Sequence, residues 1–61
     1  MRKFWRIDWC KMNNDGTYSV TNGLTYLSYE SACLDLDVLT RIASKTEWFE
    51  LVEVTEKVIS L

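Results

Sequence analysis

Two hydrophobic rhythms run along this chain. Over residues 3–12 apolar and polar positions alternate with period two. Trp5, Ile7 and Trp9 fall on one side; Phe4, Arg6, Asp8, Cys10 and Met12 fall on the other. This is the pattern of a half-buried strand, and its heavier side is expected to face the core. Over residues 27–44 the rhythm is helical. At about 100° per residue, Ala32, Leu36, Leu39 and Ala43 share one line, with Cys33 and Ile42 on its flanks. A core-facing helix is predicted there.

Turn chemistry separates the segments. Asn13-Asn14-Asp15-Gly16 is the strongest turn signal in the chain, because Asn, Asp and Gly accept the positive φ of a tight hairpin. A second strand is predicted over residues 17–21, with Tyr18 and Val20 inward. Asn22-Gly23 reads as a bulge or loop that tucks Leu24 and Tyr26 against the core. Ser28 is the predicted N-cap, Glu30 suits the helix dipole, and Leu27 is placed to staple onto Ala32. The helix is expected to fray across residues 44–46. Residues 47–54 fit either period. Their β-branched and aromatic content favours a strand, with Trp48, Glu50, Val52 and Val54 opposite Glu47, Phe49, Leu51 and Glu53. The apolar tail, with Val58, Ile59 and Leu61, is expected to pack rather than hang free.

These elements predict a small α+β domain, β-β-α-β, spanning residues 1–61. A helix crossing from the second strand to the third gives a three-stranded sheet in order 2-1-3, covered on one face by the helix. Sixty-one residues allow one domain with a thin margin of stability. With 48% hydrophobic and 13% aromatic residues and no Pro, the chain has the composition of a folded protein. It opens on Met1 with no apolar run behind its basic start. The expectation is a complete cytoplasmic polypeptide with reduced thiols, no signal peptide and no membrane span.

Charge is unevenly spread. Residues 1–11 carry a net +3 and residues 12–61 a net −5. That division disfavours a general polyanion binder and permits a charged protein partner. Chemistry has little to work with. There is no His, and Cys10 and Cys33 match no zinc spacing. Asp35 and Asp37, two apart on a helix, point in different directions and cannot share an ion. Asp37 instead suits a surface pair with Arg41. No enzyme activity, cofactor, metal or small-molecule substrate is expected. Cys33 is expected to be packing, and Cys10 to be accessible on the outward sheet face.

Two surfaces stand out. The helix carries a second apolar stripe, Leu34, Val38 and Ile42, with Asp35 projecting between it and the core line. The tail could fold onto that stripe, or a partner could. The outward sheet face carries Phe4, Cys10 and Met12 with Arg6, and would grow if Phe49 and Leu51 joined it. Glu47, Glu50 and Glu53, with Asp35 and Asp37, could add a negative surface that mimics a phosphate backbone.

In size, autonomy, acidity and apolar surface the chain resembles the small stand-alone proteins of phages and other mobile elements, many of which bind and block a host protein. The resemblance implies an inhibitor that occupies the surface of a larger defence or nucleic-acid-processing factor. A homodimeric assembly module is the alternative. Binding of RNA or DNA through Arg2, Lys3, Arg6 and Phe4 is a second, which the neighbouring Asp8, Glu47 and Glu53 oppose.

Overall fold

Asp15 organises the first turn. Its carboxylate accepts from the Thr17 backbone N–H at 3.0 Å and from the Thr17 hydroxyl at 2.6 Å. Gly16 takes a φ of +87°, which glycine adopts without a Cβ penalty. The computed structural model describes residues 2–57. It contains β1 (Arg2–Met12), β2 (Tyr18–Tyr26), α1 (Tyr29–Ile42) and β3 (Glu47–Glu56). The sheet order is β2-β1-β3, with β1 antiparallel to both neighbours. The small α+β domain expected from the hydrophobic pattern is the fold observed. The expected packing of Val58, Ile59 and Leu61 lies outside the described residues.

The second strand runs further than the turn residues suggested. Asn22-Gly23 is a bulge inside β2 rather than its end. Ile7 alone lies between Arg6 and Asp8 on β1, whereas Gly23 and Leu24 lie between their partners Asn22 and Thr25. A Cβ at position 23 would run into the backbone carbonyl of Ile7, so only glycine fits.

Ser28 caps α1 as expected, its side chain accepting from the Ser31 N–H at 3.3 Å. The helix ends at Ile42, where Ala43 turns extended. It lies on the side of the sheet that bears Trp5 and Ile7. The Tyr29 ring meets Trp5 with centroids 5.8 Å apart, and the Tyr26 hydroxyl donates to Asp35 at 2.7 Å. Ala32 is fully buried; Cys33, Leu36 and Leu39 are half-buried below the helix. β3 is a strand, with Phe49 and Leu51 opposite Trp9 and Ile7 on the helix side. Arg2–Glu56 at 3.0 Å and Lys3–Glu53 at 3.3 Å join the ends of β1 and β3. The basic segment is thus the central strand, and Arg2, Lys3 and Arg6 pair with acids within the chain.

Several expected orientations are corrected. Tyr18 and Val20 lie opposite Met12 and Cys10, on the face away from the helix. The cause is register, because the hairpin connection sets Tyr18 across from Met12 and thereby fixes every later residue of β2 up to the bulge. Phe49 and Leu51 do not join the outward face; Trp48, Val52 and Val54 do. Leu24 and Leu27 are exposed, so neither is tucked in and Leu27 staples nothing. Trp9 points to the helix side but remains partly exposed at the rim.

The core is thin. Ile7, Cys10 and Ala32 are the buried apolar residues among those described. The accessible surface is 5050 Å², against about 4100 Å² for a compact monomer of this mass. The radius of gyration is 13.9 Å, against about 10.5 Å for a compact chain of this length. The molecule is a plate, 48 × 25 × 11 Å.

Candidate functional site

The helix positions the first surface. With Ala32, Leu36 and Ala43 turned to the sheet, residues half a turn away must point outward. Leu34, Val38 and Ile42 do so, at 70%, 56% and 73% exposed. Two polar contacts border this stripe. On one side Arg41 pairs with Asp37 at 2.9 Å, the i,i+4 contact expected from the sequence. On the other, Asp35 accepts from Tyr26, which holds the helix to β2 and, with burial, raises the Tyr26 hydroxyl pKa. The three side chains form one apolar row along the outer side of α1.

The open sheet face is a second surface, and it is less open than its lack of a helix implies. Tyr18 from β2 and Trp48 from β3 lean across β1 until their rings are 6.0 Å apart. Between Val20 and Trp48, Cys10 is sealed to 1% exposure. This reverses the expected reactivity, because Cys33 is the half-buried thiol. Burial pushes the Cys10 thiol pKa up, and the charges of Glu50 and Asp8 push it further. Farther along the same face, the Arg6 guanidinium forks onto Asp8 at 2.6 and 3.0 Å. Asp8 is 5% exposed and fully ion-paired. Phe4, Val52 and Val54 are half-buried beside it, and Met12 is exposed at the end.

The acidic residues form no single ridge. Glu47 lies on the helix side, where it accepts from the Trp9 indole N–H at 2.6 Å and from the Ser44 hydroxyl. Those bonds, the Ser44 one foremost, hold Glu47 below the ordinary carboxylate range. Glu50 lies on the opposite face and accepts from the Trp48 indole at 3.1 Å. Glu53 returns to the helix side with Lys3. The sheet alternation thus divides the acids between its faces. Arg2, Lys3 and Arg6, the cations a nucleic acid would use, each face a carboxylate of the chain itself.

Leu24 and Leu27 add an exposed apolar pair that the two hydrophobic periods do not predict. The signal was present: two leucines beside a bulge and ahead of the cap, outside both hydrophobic periods. Among the described residues no three His, Cys, Asp or Glu side chains gather as a metal site would, and no pocket forms. No described helix is long and apolar enough to cross a membrane. The chain matches no protein-family model, no curated protein and no solved structure, so its function is read from these surfaces.

Proposed function

We propose that this chain is a small cytoplasmic protein-binding module that acts by occupying a surface of a larger protein, in the manner of mobile-element inhibitors of host defence or nucleic-acid-processing factors. The observation that carries the reading is the row Leu34, Val38 and Ile42, aligned along the outer side of α1 and exposed. A partner groove would receive such a row as it receives any amphipathic helix, through anchors four residues apart. The paired cations of β1 favour a protein over a nucleic acid as the occupant, since phosphate contacts would first have to break Arg2–Glu56 and Lys3–Glu53.

The test is affinity capture from the native host with the wild-type chain and with Val38→Asp as bait. An anchor of this kind is worth about 2 kcal/mol or more, so the variant should retain its circular dichroism and lose about thirtyfold in affinity for the captured protein. Undiminished capture by Val38→Asp would remove the stripe as the contact. Unfolding of that variant at every concentration would show that the stripe is part of the core.

A further inference from the structure

The two outer strands of the sheet are built to opposite rules. Natural sheets guard their edges with charges, prolines, bulges or a covering element, because an unpaired row of N–H and C=O groups invites another strand. β3 is guarded, with Glu47, Glu50, Glu53 and Glu56 along it. β2 is not. Residues 16–29 contain no charged residue and no Pro. Every residue of β2 from position 18 to 25 is exposed, and among the described residues β1 is its one neighbour in the sheet. The bulge at Gly23 interrupts the strand once and leaves residues 18–22 in unbroken register with β1.

We propose that β2 is a pairing edge for a second copy of this chain, joined antiparallel about a two-fold axis normal to the sheet. Two three-stranded sheets then become one of six strands. Two observations select a second copy as the occupant. The edge is neutral, so a two-fold axis brings no like charges together, whereas the same operation on β3 would set glutamates against glutamates. A pairing centred on Val20, the midpoint of the unbulged run, sets Ser19 beside Thr21 of the other copy, a hydroxyl pair that suits cross-strand contact. It also sets Val20 on its own copy and covers Tyr18 and Val20, both exposed in the protomer. A two-fold axis normal to the sheet keeps both helices on one side, so the pair presents two Leu34–Val38–Ile42 rows in the same direction.

Light scattering and amide hydrogen exchange on the full chain, from about 1 µM to about 1 mM, test this. The mass should rise toward twice the 7.2 kDa of the protomer. Over the same range the amides of Tyr18, Val20 and Asn22, which point away from β1, should gain protection while those of β3 stay constant. Thr21→Lys, which places two ammonium groups across the axis, should hold the protomer mass with unchanged circular dichroism. Val38→Asp should dimerise like the wild type. A protomer mass throughout would overturn the proposal. So would a dimer with unchanged exchange in β2, or one lost in Val38→Asp and kept in Thr21→Lys. Should Thr21→Lys fail to fold, the exchange of the wild-type chain still decides. Failure here leaves the stripe untouched as a contact for another protein, which the bait experiment reads separately.

Discussion

β2 and β3 are both outer strands hydrogen-bonded to β1, yet they are held very differently. β3 is tied on three sides: by the backbone ladder, by the ion pairs from Arg2 and Lys3, and by Phe49 and Leu51 under the helix. Most of its residues from Glu47 to Val54 are half-buried. β2 has the ladder, the Asp15 turn, the Tyr26–Asp35 contact and the Tyr18 ring against Trp48, and is otherwise exposed. Position at a sheet edge therefore does not determine how firmly a strand is held. The cover and charge around it do, and here they divide the plate into a firm half and a lightly held half.

Substitutions can break or sharpen that division. Ile7→Ala should strike both halves, because Ile7 is buried where β1 meets Leu51 on one side and the bulge on the other. A cost of about 2–5 kcal/mol is expected by chemical denaturation, enough to unfold a marginal chain. Gly23→Ala should strike the light half alone. Forcing a Cβ against the Ile7 carbonyl should cost about 1–3 kcal/mol, with β2 amides losing exchange protection before those of β3. Equal loss in both strands would erase the distinction.

The cysteines sharpen it further. Cys10, beneath Tyr18 and Trp48, should react with a thiol reagent about tenfold or more slowly than Cys33, which corresponds to an opening cost of at least about 1.4 kcal/mol. Comparable rates would show that β2 does not stay over β1. The double change Glu53→Gln with Glu56→Gln tests the firm half. Both pairs are exposed, so the loss should be under about 1 kcal/mol and should shrink in high salt.

Acid gives the smallest expected effect. Asp15, held down by its bonds from Thr17, and Glu47, held down chiefly by Ser44, both have lowered folded pKa values. Their contribution is complete above the ordinary carboxylate values of about 4 and fades as pH falls through the lowered folded ones. Thermal melts should therefore begin to drop below about pH 4, and Glu47→Gln should flatten part of that drop.

Much of this was legible along the chain. The core line of α1, the Ser28 cap, the Asp37–Arg41 pair and the outward stripe follow from angular arithmetic on one helix, where neighbours in space are neighbours in sequence. The strand order follows from a helix joining the second strand to the third. What the pattern missed is non-local. Tyr18 and Val20 alternate with Ser19 and Thr21 as an inward-facing strand would, and the turn's length turned them the other way. Cys10 reads as outward, which it is, but its burial depends on two rings that approach from strands thirty residues apart in sequence.

The Arg6–Asp8 fork has a consequence for whatever rests on the uncovered side of the sheet. Asp8 meets its counter-ion two residues away on the same strand, and the pair is already largely withdrawn from water. A visiting molecule need bring no cation to answer that carboxylate and strips little hydration by covering it. A greasy, uncharged lid would settle there without stranding an ion.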